Sequence, residues 1–177
     1  MYPFLRLANE FRRFRDAPPL GLADTHVSHH RVWPWDLDPW SELNNGRTLT
    51  IYDLGRLPYS RRVGLFAAMR ANRWRATVAG VSVRYRRRIT ALSVLEMRTR
   101  TLGWDHRFIY IDQSLWRPDG ECANQMLLRS AVITASGIVP PQEVTAAMGG
   151  PAESPPLPDW ARAWIAAEDA RPWPPAR

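Results

Sequence analysis

Along the first nineteen residues, apolar side chains recur at helical spacing. Phe4, Leu7, Ala8, Phe11 and Phe14 share a stripe, while Arg6, Arg12, Arg13 and Arg15 fall largely elsewhere. Pro18 and Pro19 close this basic amphipathic helix. Residues 25–33 have strand character and end at Pro34-Trp35-Asp36. From Asn44 to about Arg56 the period returns to that of a helix, with Leu49, Tyr52 and Leu54 inward and Asn44 or Asn45 as N-cap. Pro58 is expected to break it, and a second helical piece runs from Ser60 to Ala71.

Beyond residue 75 the period drops to two. Ala79, Val81, Val83 and Tyr85 face one way, and Ser82, Arg84, Arg86 and Arg88 the other, predicting a half-buried strand. Leu95, Met97, Thr99 and Thr101 alternate with Glu96, Arg98 and Arg100 in the next. Gly103-Trp104-Asp105 and Pro118-Asp119-Gly120 then supply turns into 107–116 and 122–134. Short connections between successive strands imply an antiparallel sheet. Its uncovered face needs a partner, and the helix after the first strand is the long central element able to fill it, giving an α+β fold. Three regions follow: the N-terminal helix at 1–19, the sheet-and-helix domain at 20–137, and a Pro- and Trp-rich extension at 138–177. That extension carries short helices near 142–148 and 160–170 and is expected to drape over the surface, anchored by its tryptophans.

Composition narrows the chemistry. A chain of 177 residues, 45% hydrophobic, supports one domain and buries roughly 70% of its unfolded surface. The one cysteine excludes an intrachain disulfide framework and a cysteine metal cluster. With no long apolar run or leader pattern, a cytoplasmic location is expected. Lys and Arg together number 24, every one of them arginine, and the net charge is +7. Arginine suits phosphate and carboxylate, so the charge suits an anionic partner, and GC-rich codon bias explains it equally well. The N-terminal helix either packs on its own domain or lies on an anionic membrane surface. His26, His29 and His30 have no partner at metal spacing, so no metal site is expected.

The segment 32-VWPWDLDPWSELNNGRTLTIYDLGR-56 resembles the acyl-CoA thioesterases of the 4-hydroxybenzoyl-CoA thioesterase type, whose motif is roughly D-x-D-x-x-G-H-x-N-N-x-x-Y. VSVRYRRRITALSVLEMRTRTLGWDHRFIYIDQ is similar to later strands of the same family, within the branch of mesenchymal thioesterase-like proteins. The resemblance covers about residues 25–135. It implies the hotdog fold, about five antiparallel strands wrapped around a central helix, and hydrolysis of acyl-CoA or acyl-carrier thioesters in lipid metabolism. It further implies a homodimer or dimer of dimers, and no cofactor beyond the coenzyme A of the substrate.

Asp38 matches the family's nucleophile or general base, and Asn44 and Asn45 match its asparagine pair. Ser41 and Glu42 stand where the family has Gly-His, and Thr48 where it has Tyr. Asp53, one turn along the helix, is a second candidate acid. Thioester hydrolysis needs a polarised carbonyl and an attacking carboxylate or activated water, and thiolate leaves readily. The amides of Asn45 and Gly46 at the helix start suit an oxyanion. Asp36, two residues from Asp38, would hold one of the pair protonated if the strand persisted. Arg84, Arg86, Arg87 and Arg88 are placed to meet the phosphates of coenzyme A. Plainer roles fit too: Asp38-Pro39 as a turn, Asn44 as a cap, Glu42 as a solvated acid, and the arginines as an exposed face. Two rival functions stay open, a non-catalytic binder of acyl-CoA or lipid and an arginine-rich nucleic-acid-binding domain.

Overall fold

The computed structural model describes residues 2–175. Helix α1 (Phe4–Arg13) leads to strand β1 (His26–Arg31) and a single 3-10 turn at Pro34–Asp36. Helices α2 (Asn45–Arg62) and α3 (Leu65–Asn72) follow. Strands β2 (Arg75–Tyr85), β3 (Val94–Trp104), β4 (Ile109–Trp116), β5 (Cys122–Thr134) and β6 (Gly137–Val139) come next, then α4 (Pro141–Ala147) and α5 (Asp159–Ala170). The strands form one six-stranded sheet in the order β1-β3-β4-β5-β2, with β6 on the far end of β5, and every pairing is antiparallel. This is the hotdog arrangement, a curled antiparallel sheet around a long helix.

The alternation of β3 holds. Leu95, Met97 and Thr99 are fully buried and Thr101 nearly so, under α2. Leu95 and Met97, together with Leu115 of β4 and Met126 and Leu128 of β5, pack with Ile51 and Tyr52 in one core cluster. Helix and sheet meet so closely at Gly55 that a Cβ there would run into Met97 Sδ, with Thr99 Oγ1 at 3.2 Å and Ser28 Oγ at 3.3 Å. The helix is buried nearly all round, which is why its apolar residues trace no single stripe.

Several expectations are corrected. Pro58 does not interrupt α2. Pro58 is buried, as are Leu54 and Tyr59 on the same helix, so tertiary packing outweighs the roughly 3 kcal/mol cost of an interior proline. The break comes at Gly64, in the left-handed region at φ 86. In α1 the buried residue is Glu10, with Leu7, Phe11 and Phe14 half-buried, whereas Phe4 is 70% exposed and Ala8 also faces solvent. Arg6, held by Asp36 of the 3-10 turn and by the Arg31 carbonyl of β1, turns its own side of the helix inward instead of the expected stripe. Strand β2 is mostly exposed rather than half-buried, because it is the sheet's edge. The extension does not merely drape. Ala161, Trp164 and Ile165 of α5 pack on Tyr110, Leu127, Leu102 and Phe108 on the sheet's outer face.

Candidate functional site

The loop between β1 and α2 is built by its own polar side chains. Strand β1 ends at Arg31, so Asp36 and Asp38 are not on one strand face. Asp36 is 1% exposed. Its Oδ2 accepts from Arg6 Nη1 at 2.8 Å and Trp33 N at 3.0 Å, and its Oδ1 from Arg47 Nε at 2.7 Å. Burial alone would raise this carboxyl, but the Trp33 amide and the two guanidiniums outweigh it and hold the group below the ordinary carboxylate value. The expected proton sharing with Asp38 is therefore corrected. Asp36 is an ionised clamp joining α1, the loop and α2.

Asp38 turns the other way. Its Oδ1 accepts from Trp40 N at 2.9 Å and Glu42 N at 3.2 Å, while its own N–H donates to Glu42 O at 2.8 Å. The turn passes through Ser41 at φ 62, the left-handed conformation in which glycine is easiest. Among the described residues, Asp38 Oδ2 has no hydrogen-bond partner. Leu43 N then donates to Ile89 O at 2.8 Å, tying this loop to the segment after β2.

Asn44 caps α2, its side chain accepting from Arg47 N at 3.0 Å and its carbonyl from Thr48 N at 2.8 Å. Of the first-turn amides, those of Asn45 and Gly46 have no acceptor among the described residues. They point the partial positive charge of an 18-residue helix outward.

At this tip lies a cavity of about 240 Å³ bringing Asp38, Glu42, Asn45, Arg86, Arg87 and Arg88 together, residues from 38 to 88 in the chain. Thr48, Tyr85 and Asn124 complete its wall. Arg88 pairs with Glu42 at 2.5 Å, and Arg87 with Glu121. Asn124 is fixed from behind by the buried Tyr52, whose hydroxyl donates to Asn124 Oδ1 at 2.5 Å. The sequence reading missed Tyr85 and Asn124. The available signal was Asn124 itself, an amide on the inward face of β5 where Met126 and Leu128 are apolar.

Two candidates lie elsewhere. Asp53 accepts from Tyr2 Oη at 3.0 Å and pairs with Arg56, lining a separate cavity beside Val78 and Val81 of β2. Burial, then Asp53, pushes the Tyr2 phenol up to about 12. Arg84 sits on the outer sheet face with Ser82, Trp160 and Trp164, away from the other three arginines. Strand alternation is the reason: β2 still runs at Arg84 and has ended by Arg86. Asn44 and Gly46 border another cavity on the opposite flank of the helix tip. Among the described residues no cluster of His, Cys, Asp and Glu could hold a metal ion. His26 and His30 are core residues, and His29 faces Glu96 at 3.8 Å.

Comparison with known proteins agrees with this architecture. A family model described as the Thioesterase-like superfamily matches residues 32–165, and the chain belongs to that family. Its relatives include Protein THEM6 of Xenopus laevis, 33% identical over 150 residues, covering 84% of this chain and 71% of that protein. Protein THEM6 of Danio rerio is 36% identical over 111 residues, covering 62% of this chain, and the alignment spans only 55% of the relative's length. Both fit the mesenchymal thioesterase-like branch. Among solved structures, the probable thioesterase YbaW from Escherichia coli superposes with a TM-score of 0.65 at 17% identity, over 70% of this chain and 96% of that one. The DHNA-CoA thioesterase from Staphylococcus aureus gives 0.60 at 15% identity, over 82% and 91%. At these identities the structures speak for the fold.

Proposed function

We propose that this chain hydrolyses acyl thioesters of coenzyme A, or of a carrier bearing the same phosphopantetheine, with Asp38 as the catalytic carboxylate. The supporting observation is that one cavity at the tip of α2 gathers Asp38, the amide-bearing Asn45 and Arg86, Arg87 and Arg88. Two backbone N–H groups fix the plane of the Asp38 carboxylate through Oδ1, leaving Oδ2 to take a proton from an attacking water. The water oxygen adds to the thioester carbon as its proton moves to Asp38. The carbonyl becomes an oxyanion facing the Asn45 and Gly46 amides. Collapse expels the thiolate, which needs little assistance at an ordinary thiol pKa of about 8.5 and recovers the proton from Asp38. Arg86, with Arg87 and Arg88 beside it, meets the phosphates.

Glu42 stands in the family's histidine position and is engaged by Arg88, so it orients an arginine in this scheme and carries no proton. That same ion pair favours a second reading, a protein that binds acyl-CoA without cleaving it. A homodimer through the exposed edge of β2 completes the proposal, since Val78 and Val81 there are 51% and 39% exposed.

Thiol release from an acyl-CoA panel separates the readings. We expect turnover by the native chain and a fall in kcat/KM of roughly a hundredfold or more in Asp38→Asn, with Asp53→Asn changed far less. Binding without release in every protein would leave the non-catalytic reading, and an unaffected Asp38→Asn would remove this residue from the chemistry.

A further inference from the structure

A cavity of about 890 Å³ lies on the other flank of the same helix tip from Asp38. Tyr2, Phe4 and Leu5 form one wall, Trp35 and Leu37 another, and Thr50 of α2 the floor. It exists because α1 lies beside α2 and Arg6 is anchored on Asp36 and on the Arg31 carbonyl, both at 2.8 Å. Phe4, Leu5 and Trp35 keep 70%, 89% and 67% of their surface exposed. Large apolar side chains grouped around a groove in this way mark a ligand or partner site. The charges at its edge, Arg6 and Arg47, are drawn onto buried Asp36, which leaves the walls apolar.

Neighbouring residues connect the two flanks. Asn44 and Gly46 border the apolar groove, and Asn45 borders the arginine cavity. One ligand with a phosphate-bearing end and a greasy end would thus straddle the helix tip.

We infer that the groove between α1 and α2 binds a linear aliphatic acyl chain of roughly ten carbons or more, with its carbonyl over the Asn45 and Gly46 amides and its phosphates in the arginine cavity. The inference rests on the thioester reading for the identity of the headgroup. Volume sets the chain class: 890 Å³ suits a ligand of drug size, and a two-carbon or single-ring acyl group would leave most of it to water. Phe4 and Leu5 of α1 and Trp35 of the 3-10 turn are then specificity-determining residues at the flank of the fold.

The test uses thioethers of coenzyme A, which bind but cannot be hydrolysed. Calorimetric titration of the full chain with butyl-CoA and dodecyl-CoA thioethers should show the longer one bound at least thirtyfold more tightly, since each fully buried methylene is worth roughly a factor of four. The double variant Phe4→Asp/Leu5→Asp, at exposed positions with no core role, should cut that ratio to about threefold. Thr50→Trp, which fills the floor, should do the same. Equal affinity for both thioethers in the native chain would overturn the inference. So would variants that keep the full ratio, including variants that lose only adsorption to anionic phospholipid vesicles. Thiol release from dodecanoyl-CoA, measured alongside, reports on hydrolysis alone: chain-length discrimination without release sinks the hydrolase reading and sustains the groove.

Discussion

Asp36 and Asp38 stand two residues apart and do different things, because each is defined by what surrounds it. Asp36 is sealed between two guanidiniums, whereas Asp38 is held by two amides at the edge of a cavity. The turn at Asp38 and the cap at Asn44 were legible in the sequence, since turn and cap chemistry act within a few residues. The partner of Asp36 was not, because Arg6 lies thirty positions away. Asp53 and Arg84 were grouped with the wrong neighbours for a related reason: periodicity assigns a face but not what covers it.

The same scale holds a pH effect. His26 touches Phe14, just after α1, and its Nδ1 accepts from Arg62 Nη1 of α2 at 3.0 Å. Burial, then Arg62 and Arg13, lowers it to about 4 from an ordinary 6.5. Burial, then Arg6 and the neighbouring His26, Arg13 and His29, lowers His30 to about 3. Both are neutral in the folded chain, so the unfolded chain binds more protons below pH 6.5. Their contribution is present above that pH and is lost as pH falls toward 4, by up to roughly 1.4 kcal/mol per pH unit for each ring. Buried Glu10, raised by its burial, acts oppositely and offsets part of the loss near pH 4.5. Thermal melts should therefore show the melting temperature dropping from pH 6.5 to 4.5, with His26→Leu reducing the slope by about half. A flat profile would show that these rings are not buried neutral.

Element by element, the two-residue period of β3 was readable because the strand has one face on the core, whereas Gly103 and Trp104, read as part of the turn, continue β3, and the turn closes from Asp105 N to Phe108 O. The continuation of α2 through Pro58 was not, since it depends on burial supplied by distant strands. Helix α5 was legible as a helix, but its seat on Tyr110 and Leu127 was not. Ala161 is fully buried in that seat. Ala161→Asp places a charge there with no partner and should cost roughly 3 kcal/mol, lowering the melting temperature by ~6–12 °C. A shift below two degrees would mean that α5 contributes little.

For the whole molecule, the curled sheet leaves β2 as an edge with exposed valines, and at the N-terminal tip of α2 the loop, the helix and the basic segment after β2 meet. Among the described residues no helix is long and apolar enough to cross a membrane. Three of the arginines behind the net charge of +7 line the cavity at that tip, just after β2. If β2 pairs with a second copy, sedimentation equilibrium should give twice 20.3 kDa, and Val78→Asp/Val81→Arg should shift the mass to one copy. A native chain sedimenting as one copy at tens of micromolar would remove the dimer.

Where the thioester sits can be seen in a crystal structure with bound coenzyme A. The account predicts the pyrophosphate within hydrogen-bond reach of Arg86 to Arg88, and the sulfur about 4 Å from Asp38 Oδ2 with the Asn45 amide facing the same point. A sulfur lodged beside Asp53 under β2, with Asp38 turned to bulk water, would contradict it.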